Sequence, residues 1–194
     1  EFLMKKNKID YIPAKGKLIG EGKVKITDIN GSIVEAFAKN IIISTGARSK
    51  WLPGMEPDGK NIITYKEAMT LDKKPKSLVI IGAGAIGVEF AHFYQTFGTE
   101  VTLIEALPNI LPIEDSEIST ELEKIFKKRK MNIITNTKVD KIEKLTNKVN
   151  VYLQGNDIVE AEKALIAVGV RGNIEDMGLE ECNIGIEKGW IQKN

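Results

Sequence analysis

Between residues 74 and 105 the pattern of apolar and polar positions changes period twice. "SLVII" (77–81) is an unbroken apolar run that follows Lys74, Pro75 and Lys76. A short run rich in β-branched residues predicts a strand buried on both faces. Ile86, Phe90, Phe93 and Phe97 then recur at helical spacing, which predicts a helix with one apolar stripe. Gly98 supplies its stop. "VTLIE" (101–105) predicts a second strand. Strand, turn, helix and strand within ~30 residues is the spacing of a βαβ unit.

The pattern continues downstream. Asp115 or Ser116 is placed to cap a second helix with the stripe Ile118, Leu122, Ile125 and Phe126. That helix ends in Lys127, Lys128, Arg129 and Lys130, which read either as an anion site or as a solvated end favoured by the helix dipole. "MNIIT" (131–135) predicts a third parallel strand. "VDKIEKL", "KVNVYLQ" and "IVEAEKAL" alternate between turns at Thr146-Asn147 and Gly155-Asn156, and predict an antiparallel meander. "ALIAVG" (164–169) predicts a strand that rejoins the parallel sheet. Upstream of about residue 75 several short strands are expected, then a buried strand over Ile41–Ser44 that stops at Thr45-Gly46.

The turn between the first strand and the first helix reads Gly82-x-Gly84-x-x-Gly87. Such glycines also occur in ordinary parallel sheets, but here each has a place in a dinucleotide site. Gly82 allows the tight turn, Gly84 lets a pyrophosphate approach the backbone, and Gly87 lets the helix pack close to the strand. The unpaired N–H groups of the helix start face the phosphates. Glu105 follows Gly82 by 23 positions, where a carboxylate can accept the adenosine ribose hydroxyls. The carboxylate repels the extra phosphate of NADP, and Ala106, Leu107, Pro108 and Asn109 bring no cation. NAD is therefore expected over NADP. The fold class is α/β: a Rossmann-like parallel sheet with an antiparallel β-meander.

Composition narrows the partners. The 194 residues are 42% hydrophobic and 28% charged, with a net charge of +1. That is enough chain for one full domain and part of another, with no basic field for nucleic acid or an anionic membrane. No apolar run reaches the ~18 residues of a membrane helix. The single cysteine, Cys182, excludes an internal disulfide and fits a reducing compartment. His92, also single, and Cys182 have no partner pattern and read as packing or surface residues. Trp51 and Trp190 match no motif, and partial burial is expected of both.

Together, "EFLMKKNKIDYIPAKGKLIG", "IIISTGAR", "VIIGAGAIGVEF", "VTLIE", "NTKV" and "LIAVGVRGNIEDMGLEECNI" resemble the pyridine nucleotide–disulfide oxidoreductases over essentially the whole chain. The resemblance implies an internal segment: part of an FAD-binding domain (1–48), an NAD-binding domain inserted in it (49–170), and a tail returning to the FAD domain (171–194). It places NAD on Gly82, Ala83, Gly84, Ala85, Ile86, Gly87, Val88, Glu89, Glu105, Val139 and Gly169. Val139 would lie against the adenine or is a plain core valine. Glu89 would stand near the nicotinamide or is a solvated carboxylate. FAD contacts carry over to Gly16, Thr45, Gly46 and Ala47, although a segment alone is expected to lose that cofactor. No catalytic residue and no metal ligand carries over: the family's redox cysteine pair, catalytic histidine and first FAD glycine motif match nothing here. "GVRGN" departs from the family pattern at Val170 and Gly172, which leaves that loop's geometry open.

The branch most resembled implies oxidation of dihydrolipoamide with reduction of NAD+. The expected setting is a homodimer serving a 2-oxo acid dehydrogenase complex and its lipoyl domains, in bacterial cytoplasm or the mitochondrial matrix. The alternatives are a glutathione- or mercury-type reductase and a bare dinucleotide-binding module.

Overall fold

The structure, a computed structural model, describes residues 1–192. The chain divides into two compact units, Glu1–Arg48 with Arg171–Asn194, and Ser49–Val170. The first begins with α1 (Phe2–Lys6) and an antiparallel sheet of β1 (Lys15–Leu18), β2 (Lys23–Thr27) and β3 (Ile33–Phe37). The chain leaves this unit at β4 (Ala47–Ser49).

The second unit contains β5 (Ile62–Ile63), α2 (Tyr65–Ala68), β6 (Ser77–Ile81), α3 (Ala85–Thr96) and β7 (Glu100–Ile104). It continues through α4 (Ser116–Lys128), β8 (Asn132–Ile134), β9 (Val139–Lys144), β10 (Val149–Leu153), β11 (Ile158–Ala161) and β12 (Lys163–Ile166). The chain returns through β13 (Val170–Gly172) and closes the first unit with the hairpin β14 (Ile186–Glu187) and β15 (Trp190–Ile191). Among the described residues no helix is long and apolar enough to cross a membrane.

Five parallel strands lie in the order β5-β12-β6-β7-β8. The antiparallel meander β9-β10-β11 packs on one face. Alternation along β6 explains the three layers: side chains of successive strand residues point to opposite faces. Leu78 and Ile80 join Val88, Ala91 and Tyr94 of α3 in one core, while Val79 and Ile81 join Val149, Val151 and Leu153 of the meander in another. Being covered on both faces makes β6 read as a continuous apolar run. Asp115 caps α4 by accepting the Glu117 and Ile118 N–H groups. Gly98, at φ +81°, ends α3 as its N–H donates to Gln95 O and that of Thr99 to Tyr94 O.

Three expectations need correction. Only the first half of the α3 stripe reaches the core, with Ile86 and Phe90 partly buried against it. Phe93 and Phe97 are 49% and 62% exposed, and the buried face is Gly87, Val88, Ala91 and Tyr94. Gly87 lets the helix come close to the strands, and Tyr94 is buried with its hydroxyl donating to Ala68 O at 2.7 Å. On α4, Phe126 is buried and Leu122 partly so, but Ile118 and Ile125 are exposed. The run Ile41–Ser44 forms no strand, and Ile42 is 88% exposed. An apolar run becomes a buried strand only between paired neighbours, and no strand of the described residues pairs with it.

β5 and α2 are too short to show a period in the apolar pattern. A local signal for α2 was present: Thr64 and Glu67 form a capping box, the Thr64 N–H donating to Glu67 Oε2 at 2.8 Å.

Candidate functional site

The parallel order reverses direction between β6 and β12, because the chain runs outward one way through β7 and β8 and later returns to the other side of β6. In an open α/β sheet the loops at such a switch point part and leave a crevice at the carboxyl ends of the strands. Here that crevice is a cleft of about 620 Å³, floored by the turn after β6 and walled by Glu105 after β7 and Ala167–Gly169 after β12.

The turn is held from several sides. Gly82, at φ +99°, donates its N–H to Ile104 O at 2.8 Å. A Cβ on Gly82 would lie 2.4 Å from Ala167 O, and one on Gly87 1.9 Å from Gly82 O. Both glycines are thus required by close backbone approach. Gly84 differs: a Cβ there would meet nothing within 4 Å. It would project into open space at the start of α3, where the first N–H groups of a helix have no partner within it. Those donors and the helix dipole suit an anion. This is the fit expected of a pyrophosphate against the backbone.

Glu105 is only 8% exposed. Its Oε2 accepts the Ala83 N–H at 2.7 Å and its Oε1 accepts the Leu107 N–H at 2.9 Å. The carboxylate therefore ties the glycine turn to the loop after β7 before any ligand arrives. A carboxylate offers about four lone-pair sites, so capacity remains for ribose hydroxyls.

The cleft gathers Gly82, Gly84, Ala85, Ile86, Glu105, Val139 and Gly169. Ala83 lies fully buried beneath the turn, and Gly87 and Val88 are on the buried face of α3. Glu89 stands apart. It lines a separate apolar groove of about 560 Å³ with Phe90, Phe93 and Phe97.

Residues absent from the sequence-based site also line the cleft, among them Lys50, Leu52, Met55, Thr137 and Lys138. Lys138 was within reach of sequence reading, since it precedes Val139 in "NTKV". Lys50 and Leu52 carried no local signal.

In the other unit, Gly16 lies within β1, and Thr45 and Gly46 are exposed. Asn173 holds the latter two, its Nδ2 donating to Thr45 O and its backbone N–H to Gly46 O, both at 3.0 Å. Arg48 pairs with Glu175 and also donates to Asn173 Oδ1 at 2.7 Å. Ala47 begins β4 and is half-buried. His92 is exposed, with Nδ1 3.0 Å from Arg129 Nη1, and Cys182 is a half-buried free thiol. Trp51 and Trp190 are both exposed.

The family described as pyridine nucleotide-disulphide oxidoreductase matches residues 1–194. The dihydrolipoyl dehydrogenase of Rhizobium etli is 42% identical over 98% of this chain and 43% of its own length. That of Zymomonas mobilis is 40% identical over 97% of this chain and 41% of its own. The chain thus spans about two fifths of the length of these relatives. The crystal structure of LpdA from Mycobacterium tuberculosis superposes with a TM-score of 0.87 at 29% identity, covering 96% of this chain and 42% of that one.

Proposed function

The chain belongs to the pyridine nucleotide-disulphide oxidoreductase family, and from that premise we propose that residues 49–170 are its NAD-binding domain. Residues 1–48 and 171–194 are then parts of an FAD-binding domain. The whole protein is a dihydrolipoyl dehydrogenase: it oxidises dihydrolipoamide to lipoamide and reduces NAD+, as a soluble homodimer serving a 2-oxo acid dehydrogenase complex, in bacterial cytoplasm or the mitochondrial matrix. The names of the relatives support this reading. The nicotinamide and flavin supply the redox chemistry, and the protein supplies binding and orientation.

One observation carries the cofactor assignment. The open space over Gly84 lies at the start of α3, in the same cleft as the buried carboxylate of Glu105. In this reading the helix start and the glycine backbone hold the pyrophosphate, Glu105 accepts the ribose hydroxyls, and Val139 packs against the adenine. Gly169 marks the opposite wall. With only Cys182, the chain by itself has no dithiol pair and turns over no dihydrolipoamide.

Calorimetric titration of the chain with NAD tests the assignment. Saturable one-site binding is expected, abolished by Gly84→Val and weakened by roughly ten- to a hundredfold in Glu105→Ala. NAD binding untouched by both substitutions would place the ligand elsewhere. A dihydrolipoamide assay of the same sample should stay at the blank rate.

A further inference from the structure

Two lysines line the cleft, Lys50 and Lys138. Neither takes part in any ion pair among the described residues. They belong to opposite ends of it. The Lys50 N–H donates to Gly169 O at 2.9 Å, which places its backbone at the wall after β12.

Lys138 follows Thr137, whose N–H donates to Glu105 O at 3.1 Å. The Asn136 N–H donates to Leu107 O at 3.0 Å. The segment 136–138 therefore runs along Glu105–Leu107. A lysine on this segment therefore lines the same cleft as the carboxylate that would select the ribose, although residues 106–109 hold no cation.

We propose that Lys138 is a specificity-determining residue of this cleft, offsetting the repulsion of Glu105 toward a phosphate on the adenosine ribose. This rests on the dinucleotide reading given above. The charge of Glu105 is already partly engaged by the Ala83 and Leu107 amides. The flexible four-carbon stem of an unpaired lysine lets its ammonium reach a phosphate next to that carboxylate. A ribose without the phosphate offers the ammonium no anion at that point. Lys138 thus acts on NADP and hardly on NAD: the preference for NAD survives but is narrow. Lys50, at the far wall, acts on the charge common to both.

The test is calorimetric titration of the full chain with NAD and with NADP at low and moderate salt, for wild type, Lys138→Ala, Lys138→Arg and Lys50→Ala. Lys138 is exposed, so its variants should fold, and thermal unfolding verifies this. Lys138→Ala should weaken NADP about tenfold and NAD less than twofold, with the NADP loss shrinking as salt rises. Lys138→Arg should keep the wild-type ratio. Lys50→Ala should weaken both cofactors by the same factor. NAD binding with a ratio unmoved by Lys138→Ala, or moved equally by Lys50→Ala, overturns this role and leaves the cleft assignment standing. Wild type that binds neither cofactor overturns both.

Discussion

Two six-residue runs in this chain look alike and end alike. "IIISTG" (41–46) and "ALIAVG" (164–169) are both apolar and both stop at a glycine with positive φ, +71° at Gly46 and +98° at Gly169. Yet Ala164, Leu165 and Ile166 are 2% exposed or less and pair in parallel with β5 and β6 on either side. Ile41 and Ile42 are exposed and pair with no strand among the described residues. The difference lies in the surroundings. β12 enters a slot between two strands, with the cores of both layers waiting for its alternate side chains. Apolar character makes such a slot favourable to fill, and it does not make the slot.

The contrast is broken most directly by truncation in each run. Leu165→Ala should lower the unfolding free energy by about 2–5 kcal/mol, since a fully buried leucine leaves a cavity. Ile42→Ala should change it by less than about 0.5 kcal/mol, as for an exposed position. Urea unfolding of the two variants reads the difference, and equal costs would mean that Ile42 is buried in solution.

The glycine turn braces the second run, because a Cβ on Gly82 would meet Ala167 O and one on Gly87 would meet Gly82 O. Gly87→Ala should therefore cost about 1–3 kcal/mol through overpacking. Gly84→Ala should leave the thermal midpoint nearly unchanged and weaken NAD, because its Cβ enters only the open cleft. Paired melting curves and titrations separate the two. A Gly84→Ala protein that melts early would show that the space is filled by the protein itself.

The shared glycine conformation should give a shared and smaller penalty. Gly46→Ala and Gly169→Ala each place a Cβ in the left-handed region, at a cost of about 1–2 kcal/mol. Neither meets a neighbour closer than 4.0 Å, so sterics beyond the backbone add little. Unfolding free energies that differ widely between the two would refute this.

The smallest effect concerns the segment after the first run. The hydrogen bond from Arg48, helped by backbone N–H groups, lowers the Glu175 carboxyl from 4.5 to about 2. A depressed folded-state pKa means that the pair's contribution is complete above the unfolded value. It fades as pH falls through about 2. An NMR titration of the Glu175 carboxyl should show that low midpoint, and Arg48→Ala should return it toward 4.5. A midpoint near 4.5 in the wild type would mean that solvent screens the pair.

What the sequence determined by itself is local. The spacing of Gly82, Gly84 and Gly87, the Asp115 cap, the Gly98 stop and the meander turns each act within a few residues, through backbone geometry or a single hydrogen bond. The apolar run of β6 implied cover on both faces because each residue was apolar, whichever way it pointed. Tertiary structure decided which helix face is buried: α3 turns Val88, Ala91 and Tyr94 inward and leaves Phe93 out, since only the face toward the sheet meets side chains from strands distant in the chain. It decided that β12 is a strand and 41–44 is not, because pairing needs neighbours distant in the chain. It also brought Lys138 beside Glu105, through backbone hydrogen bonds that join the segment before β9 to the loop after β7. Electrostatic selection depends on distance in space, and the four residues that follow Glu105 in sequence say nothing of a cation delivered from the next crossing of the sheet.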